Sequence, residues 1–444
     1  MSEAEPPDTA QRSVSTALLT DHYELTMVDA ALRSGVAGHR AVFECFCRRL
    51  PPGRRFGVVA GTERLLDAIE AFRFDDATLR WLREQGFLHP DTLDWLAGYR
   101  FSGDIAGYRE GELCFPGSPV LTVEGTFAEA VVLETVVLSV LNHDSAVAAA
   151  GARMVHAAAG RPLLEAGGRR TSEWAAPAAA RAAYLVGFAA TSNLEAGRRW
   201  GVPTGGTTAH AFVLAHDHER AAFDAQLAVT GPATTLLVDT YDLEAGIRNA
   251  VAAAGPALGA VRIDSGDPLS QATLARKLLD DLGATGTAIV LSGDLDEWSI
   301  EAVLGAGAPV DRMLVGTQLV TGSGAPTAGF VYKLVAIAEP AAGAGMRPVA
   351  KTSLGKATNG GRKWAARRFD TEGYAIEEIV TPGPAPIPDG TVRALQVEMV
   401  RSGERCDHST VHDARDHHRG AVAALRPEHR DLAPGDPALP TVER

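Results

Sequence analysis

The chain predicts an α/β fold: an irregular (β/α) barrel plus a discontinuous α/β domain formed by N-terminal and C-terminal segments. Three observations predict it. From about 161 to 337, short apolar runs alternate with helical patterns, which makes the runs strands of a parallel sheet. On either side of that stretch the pattern changes to short strands separated by Gly and Pro turns. The length, 444 residues, exceeds what one ordinary core holds, so more than one unit is expected.

Taken in order, residues 1–14 are expected to be disordered. Leu18–Ser34 has helical periodicity and opens with Thr20-Asp21 as a cap. Ala41–Phe46 alternates as a strand, which Pro51-Pro52-Gly53 ends. Phe101–Val123 reads as short strands, and a long helix follows over 126–158. Its apolar part is interrupted by Glu129, Glu134, His143 and Asp144, so it reads as a buried helix and not a membrane span. Barrel strands are expected at 162–166, 185–191, 204–210, 234–239, 259–263, 287–292, 312–316 and 329–336. Helices are expected at 174–183, 216–227, 242–254, 268–283 and 296–306. Seven or eight such units predict a closed barrel, irregular and shorter than usual. The expected units are 15–150, 151–340 for the barrel, and a segment 341–444 that packs back on the first.

Composition narrows the function classes. A net charge of −13 argues against bulk nucleic-acid binding, so anionic ligands need a local cationic pocket. The four cysteines, Cys45, Cys47, Cys114 and Cys406, show no disulfide framework, which fits a reducing, cytoplasmic compartment. Cys45 and Cys47 read as small buried hydrophobes on one strand face. The acidic N-terminus lacks the basic and apolar regions of a signal peptide. Cys406, His408, His412, His417 and His418 have metal-ligand types but no standard zinc spacing, and read as a solvated helix. Only five of the 42 basic residues are Lys, and four of them (Lys333, Lys351, Lys356, Lys363) fall in one 31-residue window. These are either compact point charges for phosphate or a chance cluster.

In parallel barrels the site lies at the C-terminal ends of the strands. Polar residues collect at those ends: Arg169 and Arg170, Thr191 to Asn193, Thr207 to His210, Asp239, Arg262 to Asp267, Ser292-Gly293-Asp294 and Gly316-Thr317. The last two segments suit a phosphate site built from backbone N–H groups, with Gly permitting close approach. His210 is either a satisfied core histidine or a nucleophile toward phosphorus, with Asp239 as its orienting partner. Asp264 and Asp267 could place Mg²⁺ against a diphosphate; alternatively Asp264 caps the helix that follows. Arg262, if it points inward, offers a bidentate fork to a carboxylate or phosphate.

Several segments together resemble nicotinate phosphoribosyltransferases. They are Leu19–Met27, Glu112–Glu124, Glu165–Arg170, Thr191–Asn193, Gly206–His210, Arg262–Asp267, Gly316-Thr317 and Tyr332-Lys333-Leu334, in family order. The resemblance implies a type II phosphoribosyltransferase fold and a homodimer with shared sites. It implies that nicotinate and 5-phosphoribosyl 1-pyrophosphate (PRPP) give nicotinate mononucleotide and pyrophosphate, coupled to ATP hydrolysis, in NAD salvage. His210 maps onto the family's phosphorylated histidine. Tyr23, Arg169, Thr207 and Arg262 map onto nicotinate-site positions. Ser292, Gly293, Gly316, Thr317, Lys351 and Lys363 are expected at PRPP and phosphate. Mg²⁺ is the expected cofactor, on Asp264 and Asp267, and ATP a co-substrate. Ala166 stands where the family usually has an aromatic. Competing readings are nicotinamide or quinolinate phosphoribosyl transfer, and a catalytically silent phosphate-binding relative.

Overall fold

A computed structural model describes residues 14–338, 345–351, 359–383, 385 and 387–444. The disorder expected before residue 14, and Lys356, lie outside the described residues.

Helix α1 (His22–Ser34) ends at Gly35, which holds φ +82°. It precedes three strands: β1 (Arg40–Cys47), β2 (Asp104–Tyr108) and β3 (Leu121–Thr126). Between β1 and β2 lie three short helices. The long helix α2 (Glu134–Ala157) follows, separated from Phe127–Val131 by one turn. Phe127–Ala157 is long and apolar enough to cross a membrane, yet 61% of its apolar window is buried inside the protein. It is a core helix whose N-terminal half (Val136, Val137, Leu141) packs in one apolar cluster and whose C-terminal half (Val147, Ala148, Ala152) packs in another.

The parallel sheet comes next. Its strands are β4 (Leu163–Glu165), β5 (Ala190–Thr191), β6 (Thr235–Leu237), β7 (Ala260–Ile263), β8 (Ala288–Leu291) and β9 (Arg312–Val315). Helix α3 (Ala175–Val186) joins the first pair, α4 (His210–Leu214) precedes β6, and α5 (Pro268–Asp281) joins β7 to β8. The order is β5-β4-β9-β8-β7-β6, all parallel. The expected helices are present at Ala175–Val186, Glu219–Thr230, Leu243–Ala254, Pro268–Asp281 and Glu297–Gly305.

Three expectations are corrected. The sheet is a six-stranded open half-barrel, not a closed barrel of seven or eight, with β5 and β6 at its edges. The expected strand 204–210 reduces to one bridge between Thr191 and Thr204, because Gly205, Gly206 and two threonines then leave the sheet as a loop. The expected strand 329–336 is β10 (Phe330–Ala338), and it pairs antiparallel with β1, outside the parallel sheet. Its near-continuous apolar run, in which buried and half-buried residues mix, gives no clean alternation to assign it to one sheet or the other.

The antiparallel sheet therefore gathers distant segments. Its central order is β10-β1-β3-β2-β14, where β14 (Gln396–Arg401) returns from the C-terminal part. A smaller sheet holds β11 (Lys363–Phe369), β12 (Ala375–Pro382), β13 (Val392–Ala394) and β15 (Thr441–Glu443). Helix α6 (Val411–Ala423), with Thr410 and Asp413 forming a capping box, packs on α3. Arg367 of β11 is 1% exposed and pairs with Glu112 at 2.5 Å and with Glu378 of β12 at 2.6 Å. Arg181 of α3 is fully buried and bridges Glu63 and Glu110.

Candidate active site

β7 ends at Ile263, and Arg262 projects from it with 13% of its side chain exposed. Its Nε donates to Ser292 Oγ at 3.0 Å, and its Nη1 donates to Thr207 Oγ1 at 2.9 Å. One guanidinium thereby joins the end of β7, the end of β8 and the loop that replaces the expected strand. Ser292 Oγ in turn donates to Asp264 Oδ1 at 2.5 Å. Burial pushes the Asp264 carboxyl up, but the Ser292 hydroxyl, Arg262 and His210 outweigh it and hold the group below its ordinary range.

His210 opens α4 and is half exposed. Its Nδ1 lies 3.1 Å from Thr240 Oγ1, and its Nε2 lies 3.7 Å from Asp264 Oδ2. One ring nitrogen is held by a hydroxyl while the other faces a carboxylate across an open gap. Asp239 does not orient the imidazole, correcting the sequence expectation. Its Oδ2 accepts the Asp264 N–H at 2.8 Å and the Ser265 hydroxyl at 2.7 Å, so it braces the loop after β7. The Oδ1 of Asp239 is buried with no hydrogen-bond partner among the described residues.

Asp267 caps α5: its Oδ1 accepts from Ser270 N at 2.9 Å. Those Ser270 hydrogen bonds hold its carboxyl below the ordinary range. The helix cap is thus Asp267 and not Asp264, which leaves Asp264 facing the rim. Among the described residues no group of three His, Cys, Asp or Glu stands ready for a metal. Asp264 and the unpartnered Asp239 oxygen nevertheless suit Mg²⁺, which takes few protein carboxylates and completes its shell with ligand oxygens and water.

Gly293 follows β8 with φ +124°, a conformation other residues rarely adopt, and a Cβ there would lie 3.4 Å from Asp264 O. Gly316 leads into the single turn Thr317–Val320. Opposite it, Gly167 is sterically required: a Cβ there would sit 2.3 Å from Val320 Cγ1 and 2.9 Å from Gly316 O.

Comparisons with known proteins give the family. The family model described as the nicotinate phosphoribosyltransferase N-terminal domain matches residues 18–142. A nicotinate phosphoribosyltransferase of Mycobacterium tuberculosis is 55% identical over 433 residues, covering 96% of this chain and 94% of that one. The human nicotinate phosphoribosyltransferase is 30% identical, covering 96% and 94%. The crystal structure of human nicotinic acid phosphoribosyltransferase superposes with a TM-score of 0.83 at 27% identity, covering 96% and 97% of the two chains. A nicotinate-nucleotide pyrophosphorylase from Pyrococcus furiosus shares the fold, with a TM-score of 0.75 at 23% identity over 96% of this chain and 99% of that one. The chain belongs to the nicotinate phosphoribosyltransferase family.

For a nicotinate phosphoribosyltransferase, the structure joins some expected residues and separates others. Thr207, His210, Asp239, Arg262, Asp264 and Ser292 form one hydrogen-bonded and ionic group. Arg169 is exposed and makes no ion pair among the described residues. Tyr23 lies on α1, which packs beside Phe127–Val131; burial, Glu134 and Glu24 push its hydroxyl up to about 12. No hydrogen bond links it to the rim among the described residues. Lys351 is exposed. Lys363 is buried in β11, its Nζ 2.7 Å from Glu44 Oε2 and donating to two backbone carbonyls. That amine is committed inside the protein, so the phosphate expectation is not carried forward for it.

Three polar residues were given no role by the sequence reading, Glu165 among them although its segment was noted. Glu165, fully buried at the end of β4, accepts from Gly167 N and, at 2.5 Å, from Thr191 Oγ1. Burial pushes its carboxyl up. A carboxylate closing an apolar run just before Gly-Gly was the available signal. Thr240 was one residue from the chosen Asp239. Gln226, which accepts from the Thr208 hydroxyl at 2.8 Å, sits mid-helix with no local mark.

Proposed function

We propose that this chain transfers a phosphoribosyl group from PRPP to nicotinate, giving nicotinate mononucleotide and pyrophosphate, coupled to ATP hydrolysis. The observation that carries this reading is the Arg262–Ser292–Asp264–His210 group at the rim of the half-barrel. The family membership supports the reaction; the coupling and the residue roles are our assignment.

The pyridine nitrogen attacks the anomeric carbon as the carbon–oxygen bond to pyrophosphate breaks. Arg262 and Thr207 receive the nicotinate carboxylate, Arg262 through a charge-assisted fork that an amide cannot form equally. The N–H groups after β8 and β9, at Gly293 and Gly316-Thr317, receive the sugar phosphates, while the Ser292 N–H is held by the Ile263 carbonyl. Asp264, with the free Asp239 oxygen, would hold Mg²⁺, which supplies charge stabilisation to the departing diphosphate. His210 attacks the γ-phosphorus of ATP, releasing ADP; water later cleaves the phosphorus–nitrogen bond and returns imidazole and phosphate. The Thr240 hydroxyl on Nδ1 leaves Nε2 as the attacking nitrogen. The added phosphoryl charge orders neighbouring groups during transfer.

We further infer a cytoplasmic homodimer. Tyr23, on α1 and outside the rim group, then serves the site of a second copy, while Arg169, just past the end of β4, serves the rim of its own protomer. Lys351 is placed at phosphate on the resemblance alone.

The test is the purified chain with nicotinate and PRPP, with and without ATP, read by product mass. Nicotinate mononucleotide, more of it with ATP, is the expected product. Preference for nicotinamide or quinolinate in side-by-side assays would overturn the substrate assignment.

A further inference from the structure

Helices α2 and α3 run into the starts of β4 and β5, so their C-terminal ends lie at the opposite end of the sheet from the rim. Between those ends and α6 is a cavity of about 440 Å³, within the size range of small-molecule sites. Its walls are mostly apolar, with Phe56, Leu185, Val186 and Val422 among them. Three guanidiniums from the C-terminal part also line it: Arg415, Arg419 and Arg430.

The charge at this cavity is poorly compensated. Arg415 donates to the carbonyls of Tyr184, Phe188 and Gly187. Arg430 donates to the carbonyls of Leu425 and Ala423. Neither guanidinium has a carboxylate within ion-pair distance among the described residues, so both keep a full positive charge against apolar walls. Among the described residues Arg419 pairs only with exposed Asp416 on its own helix. In a chain of net charge −13 this is a local reversal of sign. Carbonyl dipoles hold these arginines in place without cancelling them, and low-dielectric walls strengthen their field.

We propose that this cavity is a second ligand site, for a small organic anion with a flat apolar body and one negatively charged group. The apolar walls take the body, and the uncompensated guanidiniums select the charge. The site shares no residue with the rim and does not depend on the reaction proposed above.

The probe is anilinonaphthalene sulfonate, titrated into the full-length protein by fluorescence, with neutral phenylnaphthylamine as the comparison. The sulfonate is expected to bind saturably and more tightly than the amine. Val422→Trp, which fills the cavity, should weaken it by about tenfold or more. Arg419→Glu, an exposed change that spares the fold, should weaken it by about threefold to fivefold. Phosphoribosyl transfer should be unchanged in the second variant. Absence of saturable binding, as when a second copy covers the cavity, overturns the proposal. So does a titration that neither variant alters, or equal affinity for the neutral amine.

Discussion

Asp264 and Asp267 stand three residues apart and do different things. Asp267 ends in a helix cap, while Asp264 turns to the rim and meets Ser292 and His210. Asp267→Ala should therefore lower stability through loss of the cap, seen as a lower urea midpoint, with turnover near the parent's. Asp264→Asn should leave the urea midpoint close to the parent's and remove most turnover. His210→Asn should end ATP hydrolysis and acid-labile protein phosphate while slow ATP-independent transfer persists; unchanged coupling would refute its role. Arg262→Lys keeps the charge but loses the fork across Thr207 and Ser292. It should raise KM for nicotinate by about 10- to 100-fold, as for loss of a charged hydrogen bond. The rim was legible in the sequence because hydroxyls, carboxylates and an arginine recur after short apolar runs. The partner of His210 was not, because Asp239 and Thr240 are adjacent and only the path of the loop decides which one reaches the ring. Lysine clustering misled at Lys363, since counting charges cannot show that Glu44 waits for one of them inside the sheet.

Among the elements, helices were placed within a few residues, because caps such as Asp242, Asp267 and Asp296 announce them. Strands were harder. Thr204–His210 carries enough β-formers to suggest a strand, but two adjacent glycines and the demands of the rim make it a loop. Phe330–Ala338 was recognised as a strand and given to the wrong sheet, since its partners on β1 lie nearly 300 positions away in sequence. The tight packing of the loop after β4 on the turn after β9 carries a test of its own. Gly167→Ala drives a methyl group into Val320 and the Gly316 carbonyl, and overpacking of this kind costs about 1–3 kcal/mol. Because Gly316 belongs to the proposed phosphate loop, KM for PRPP should rise along with the loss of thermal stability. A variant with parent-like KM and melting temperature would remove that coupling between the two loops.

Over the whole molecule, buried charges tie the C-terminal part to the rest. Arg367 sits between two carboxylates that are 1% and 0% exposed. Arg367→Met would leave Glu378 buried without a cation, while Glu112 keeps Arg393 and His417; the loss is about 3–5 kcal/mol, measurable as a lower unfolding midpoint. His418 contributes to the acid response. It donates from Nδ1 to Gly111 O at 2.9 Å, and burial pushes its pKa down to about 4 from an ordinary 6.5. The folded ring thus stays neutral where the unfolded one takes a proton. Its effect is absent above pH 6.5, grows as pH falls toward 4, and then levels off at about 3 kcal/mol of lost stability. His418→Gln should flatten that part of the stability-against-pH curve in urea titrations, and an unaltered slope would place the acid sensitivity elsewhere. Neither feature was readable beforehand: His417 and His418 looked like a solvated tail, and only the return of α6 onto α3 buries one of them. The same return governs the antiparallel sheet, where β2 finds its outer neighbour only at Gln396–Arg401. A ribosome must therefore deliver most of the polypeptide before that edge is covered. Until then the nascent chain offers an unpaired strand to any sticky neighbour, so premature stops late in the message should yield aggregates and not smaller working enzymes.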